Sequence, residues 1–153
     1  MSLYNAICSP NFYSHTGFHV IRSWLKENCL CSLNQDYFTQ LSPNVNIEVI
    51  KDSQVHSNEF LAALQGKALI PFDTVPDISA WLPSLEIKGF QLNPENFQQL
   101  YQLLVLSSRI KKCLTESNFP LWHVHSRNLI SSKAVQSEIE KIFDDDFQIK
   151  DDA

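Results

Sequence analysis

The chain has 153 residues, 44% of them hydrophobic, with 12 Lys and Arg against 17 Asp and Glu. That length suits one domain with a single core, and three Gly are too few for a dinucleotide or phosphate-loop enzyme or a tightly turned β-barrel. No apolar run approaches the ~18 residues of a membrane span, and the apolar content is too high for a disordered chain.

Helical periodicity dominates the chain. After a loose start over Ser9-Pro10 to Ser14, apolar residues fall at Phe18, Ile21, Leu25 and Cys29, with Trp24 beside them. Spacings of three and four mark one face of a helix. Asn34 suits a left-handed corner. Tyr37, Phe38 and Leu41 predict a short helix stopped by Ser42-Pro43. Asn46 is a candidate cap for a helix from Ile47 to Leu64, ended by Gly66.

Ala68 to Phe72 reads as an extended crossing. Pro76 suits the first turn of a short helix carrying Ile78, Trp81 and Leu82, which Pro83 bends or stops. Lys88-Gly89 is a turn. Asn93-Pro94-Glu95 is the clearest helix start: a capping Asn, a Pro at the first helical position and an acid in the first turn. The helix is predicted to reach about Leu114. Leu103-Leu104-Val105-Leu106 has no polar side, so neighbours should cover it on more than one side and bury at least three of the four, within one chain or between two. Phe119-Pro120 breaks the chain. A last helix is expected over roughly Ser131 to Phe143, with Val135, Ile139, Ile142 and Phe143 as its apolar set. Asp144-Asp145-Asp146 then turns into Phe147-Gln148-Ile149-Lys150, which alternates like a short strand.

From Glu138 to Asp152 there are seven acids and two bases, which account for the whole formal charge of −5. The rest of the chain is balanced. Its densest basic cluster in sequence is Arg109, Lys111 and Lys112, so no basic stripe supports direct binding to a duplex. Four cysteines, Cys8, Cys29, Cys31 and Cys113, are too few for a disulfide framework. With no signal peptide evident, they predict a reduced, cytoplasmic setting.

The candidate chemistry is thin. Gly66-Lys67 is the only Gly-Lys pair, but Ala68 follows it and Leu61 stands where the first Gly of a phosphate loop belongs. His15 and His19, four apart, fit one helix face and half a zinc site, but Thr16 stands where a zincin would carry Glu. His123 and His125 share a face only on extended backbone. Cys29 and Cys31 are ordinary core fillers. Counting from Asp144, a calcium loop would need Gly at the position of Ile149 and a Glu beyond Ala153, so a solvated acidic turn is the better reading. No catalytic, cofactor-binding or metal residue is assigned.

In their order, Phe18-His19-Val20-Ile21, Leu25, the corner from Cys29 to Asn34, and Leu41-Ser42-Pro43 resemble the opening of bacterial MutS proteins of the second type, relatives of the mismatch-repair protein that lack its mismatch-reading domain. The resemblance continues through Asp77-Ile78, Leu82 and Gly89-Phe90-Gln91-Leu92-Asn93-Pro94-Glu95, which is similar to that family's helix start. Phe119-Pro120-Leu121 and the stretch from Ile139 to Ala153 look like the segment before the family's helical arm. Asn34 stands where the family usually carries Gly, and Phe147-Gln148 where a Gly-Glu turn is common. Phe12-Tyr13-Ser14 lacks the Glu of the mismatch-reading Phe-x-Glu motif.

The resemblance implies an all-α, multihelical domain of long packed helices, with one short extended segment near the C-terminus. Residues 1–13 read as a tail or tag remnant and 14–153 as a helical core, or lever, fragment of a longer ATPase. It implies a parent that dimerises, uses ATP and Mg in another domain, and clamps branched or mismatched DNA; stalled ribosomes are the partner of some relatives. The fragment's immediate partner would be the rest of its own chain. It would hold no cofactor, contact no membrane and catalyse nothing. Two other readings stand beside it: a stand-alone protein-interaction module presenting Trp24, Trp81 and Trp122, and a small metal enzyme built on His15, His19, His123 and His125.

Overall fold

The computed structural model describes residues 11–66, 68–144 and 146–150. Among them the fold is all-α and multihelical, 59% helical with seven α-helices and no sheet. The chain divides into two compact units at Asn58/Glu59, inside one long helix.

In the first unit, α1 (Phe12–His15) and α2 (Phe18–Glu27) are separated by Gly17, whose φ of 70° is left-handed. Glycine takes that conformation without the clash a Cβ brings. The rings of Phe12, Tyr13 and Phe18 lie 5.5 to 6.4 Å apart around this corner. A 3-10 turn over Ser32–Asn34 leads into α3 (Gln35–Gln40), which packs on α2. Asn34 is therefore no left-handed corner: its φ of −92° and ψ of −4° put it at the helical junction. The chain reverses through the 3-10 turn and makes its left-handed step at Gly17 instead. The expected stop at Ser42-Pro43 holds.

The long helix α4 (Ile47–Gln65) starts as expected at Asn46, whose Oδ1 accepts from the backbone N–H of Glu48 at 3.0 Å and Val49 at 3.5 Å. No residue of α1 to α4 is fully buried.

The second unit holds the core. Residues 68–75 run without helix, and Trp81 and Leu82 both donate back to the Ile78 carbonyl in a turn. A 3-10 turn over Leu82–Glu86 follows, with Pro83 in its first positions. Pro83 thus opens a helical turn and does not stop one, because a proline lacks only the N–H that a first-turn residue leaves unpaired anyway. Gly89, at φ 89°, makes the turn at Lys88-Gly89.

Then come α5 (Pro94–Cys113), the short α6 (His123–Ser126) and α7 (Lys133–Ile142), with α6 and α7 both against α5. Ser132 caps α7 by accepting from the Val135 N–H. Among the described residues the buried apolar side chains are Leu104, Leu106, Phe119, Ile139 and Phe143, with Phe119 fully buried.

The expected strand over 147–150 reduces to one isolated antiparallel pairing, Phe143 with Ile149. The chain turns back at once: Asp144 N–H donates to the Gln148 carbonyl and Lys150 N–H to that of Ile142, both at 2.9 Å. Asp144 Oδ1 accepts from the N–H of Asp146 and Gln148, so the carboxylate builds the turn from inside.

Candidate functional site

The element with most structure around it is α5, about 30 Å of helix at 1.5 Å per residue. Its start is doubly closed. Asn93 Oδ1 accepts from the Asn96 N–H at 2.8 Å, and Asn96 Oδ1 accepts from the Asn93 N–H at 3.2 Å. The sequence exposes the capping Asn and Pro94, but the second half of the box is an Asn where Glu or Gln is usual.

Midway, Leu104 is 7% exposed and Leu106 5%. Two residues apart on a helix, they point to nearly opposite sides, so α5 is covered on two flanks. Leu103 and Val105 are only half-buried. Within the single chain two of the four side chains are buried, and Val105 lines an open cleft of about 290 Å³ with Asp73, Thr74 and Arg109.

Polar contacts fix the neighbours to this helix. The buried Ser107 hydroxyl donates to the Ile130 carbonyl at 2.6 Å, and Gln136 donates to the Ser108 hydroxyl at 3.2 Å. Tyr101 donates to Glu140 at 2.7 Å, tying α5 to α7. Phe97 and Phe143 bring their rings to 5.5 Å across the same interface.

Two residues whose packing role the sequence does not reveal hold the other end. Phe119, read there as part of a chain break, is 0% exposed and lies 5.5 Å from the Phe60 ring. Glu59 accepts the N–H of Leu121 at 2.9 Å and of Trp122 at 3.1 Å, supplying acceptors at the start of α6. No local pattern announces Glu59, since its partners lie more than sixty residues on.

Beside α7, Phe147 adopts φ 57°, left-handed backbone that a bulky residue rarely takes. Its ring stacks on Phe143 and meets Tyr101 edge-on, both at 5.5 Å. The strained residue is therefore held by two aromatic contacts, at the position where the family resemblance expects a Gly-Glu turn. Phe147→Ala should lose the rings and keep the strain, whereas Phe147→Gly loses the rings and relieves it. The glycine variant should be the more stable by about 1–2 kcal/mol in denaturant melts; equal stabilities would mean the turn carries no strain.

The histidines are not gathered. His15 ends α1 and His19 lies in α2 beyond the break at Gly17, so they share no helix. His123 and His125 lie on the single turn of α6, not on extended backbone, which turns them to different sides. Cys29, Cys31 and Cys113 are free thiols, and Cys29 donates to the Cys31 carbonyl. Among the described residues no group of three His, Cys, Asp or Glu is placed to hold a metal. Of the three tryptophans, only Trp24 is open, at 61%. Trp81 donates to Gln99, and Trp122 packs edge-on against Phe60; both are half-buried.

The structure thus defines an all-α, multihelical fold whose second unit is organised around one capped, doubly covered helix. No helix among the described residues is long and apolar enough to cross a membrane. The chain is similar to proteins named Endonuclease MutS2: 28% identical over 140 residues to that of Alkaliphilus oremlandii, 28% over 141 to that of Listeria welshimeri, and 24% over 141 to that of a Geobacillus species. Each match covers 89% of this chain, and the chain spans 18% of the length of these curated relatives. No family model and no solved structure matches it.

Proposed function

We propose that this chain is the non-catalytic helical core, or lever, of a MutS-like DNA-repair protein, coupling an ATPase domain to a DNA clamp elsewhere in the same protein. The observation that carries the reading is the similarity to one part of MutS2 proteins across 89% of this chain. The architecture supports it. A lever needs a stiff element with neighbours fixed along it, and α5 is capped at its start, buried at its middle and tied to α7 by Tyr101 and Gln136. Motion would pass through packed helices with two arrangements.

On this reading ATP and Mg act outside the chain, the whole protein is a cytoplasmic homodimer, and branched or mismatched DNA is held by other domains. The apolar face of α2, with Ile21, Trp24 and Leu25 exposed, would be covered by other parts of the protein. The same face favours a second reading, a helical interaction module that works alone.

The purified 153-residue chain should hydrolyse ATP no faster than a blank. It should also bind duplex DNA weakly at physiological salt, since a formal charge of −5 releases few counterions. Hydrolysis abolished by substituting one of its residues, or a sub-micromolar, salt-sensitive duplex affinity, would overturn the lever.

A further inference from the structure

We infer that the first unit carries an anion-binding cleft between α2 and α3 that takes a phosphate group. The cleft, of about 280 Å³, is lined by His19, Arg22, Ser23, Lys26 and Thr39. Two cations and the Ser23 hydroxyl meet there, the Thr39 hydroxyl being turned to the Gln35 carbonyl at 3.1 Å, and the two acids of these helices, Glu27 and Asp36, do not line it. Sequence order hides the grouping, because Thr39 comes from a separate helix.

Arg22 is what makes the cleft more than a charged surface. Its Nε donates to the Phe38 carbonyl at 3.3 Å, and its guanidinium carbon sits 5.3 Å from the centre of the Tyr13 ring. A half-buried guanidinium held by a carbonyl on one edge and a ring on one face has little freedom left to lose. Its two terminal nitrogens make no ion pair among the described residues, and they form the planar fork that suits two oxygens of a phosphate. Lys26, one turn further along α2, adds a mobile point charge. Ser23 supplies a hydroxyl donor. His19 donates from Nδ1 to the Tyr13 carbonyl at 2.8 Å, which fixes its ring as a wall of the cleft.

One such site is compatible with weak duplex binding, because it neutralises a single phosphate where tight binders neutralise many. The ligand chemistry is a phosphate oxyanion, either a free small phosphate or one phosphate of a nucleic-acid strand.

The test is an amide NMR titration of the whole chain with inorganic phosphate, against chloride at equal ionic strength, and with a short oligothymidylate. Phosphate should move the amides of residues 19–26 and 38–40 saturably. Lys26→Glu, exposed and outside the core, should weaken this at least tenfold without changing the melt. Arg22→Lys, which keeps the charge but not the fork, should weaken it as well. Oligothymidylate binding no tighter than phosphate identifies a free anion as the ligand, and tighter binding at the same amides identifies a strand. Shifts spread equally over residues 109–112, or an affinity unchanged by Lys26→Glu, would overturn the site.

Discussion

Phe119→Ala should lower the unfolding free energy by about 3–5 kcal/mol, the largest loss expected from any single truncation among the described residues. The side chain is completely buried, so its removal sacrifices the transfer energy of the ring and leaves a hole beside Phe60. The backbone gives little room for collapse. Phe119 N–H donates to the Thr115 carbonyl, and its own carbonyl accepts from the His123 N–H, both at 2.8 Å. Against the ~5–15 kcal/mol that a domain of this size has in total, such a loss brings the second unit close to unfolding at ambient temperature. Urea melts should show a lower midpoint with an unchanged slope, and Phe119→Leu should recover much of the difference. A loss below about 1 kcal/mol would mean that the residue has no packed surroundings.

Leu104→Ala should cost about 2–5 kcal/mol, and Asn93→Ala only about 0.5–2 kcal/mol. Both changes fall on α5, so the comparison separates burial at its middle from capping at its end. Leu104 is buried, while the capping pair of Asn93 and Asn96 is solvent-exposed, where water competes for the same N–H groups. The ranking carries more weight than either value. If the cap change proves the more damaging, α5 lies on the surface and cannot serve as the stiff axis of a lever.

The parts of this architecture that could be read from sequence are those decided within one helical turn. Asn46 and Asn93 announce their helices because a cap and its N–H partners lie two or three residues apart. Pro94 and the apolar spacing of α7 act at the same range. Reading failed where a choice was settled from further away. Asn34 tolerates a left-handed backbone, but the chain used Gly17 for that step and passed Asn34 through a 3-10 turn. Val105 belongs to an unbroken apolar run, yet its exposure depends on how far residues 73–76 cover α5. Glu59, Phe119 and the cleft around Arg22 were hidden for the same reason. Each is made by partners from another element, and single-residue chemistry does not say which elements meet.

Native-state hydrogen exchange measures the stiffness of α5 directly. The amides of residues 104–108 should exchange only through global unfolding, at the full unfolding free energy, and those of α1 and α3, where no residue is buried, should open locally and exchange far faster. Exchange at 104–108 as fast as in α1 would contradict a rigid central helix, and the lever with it.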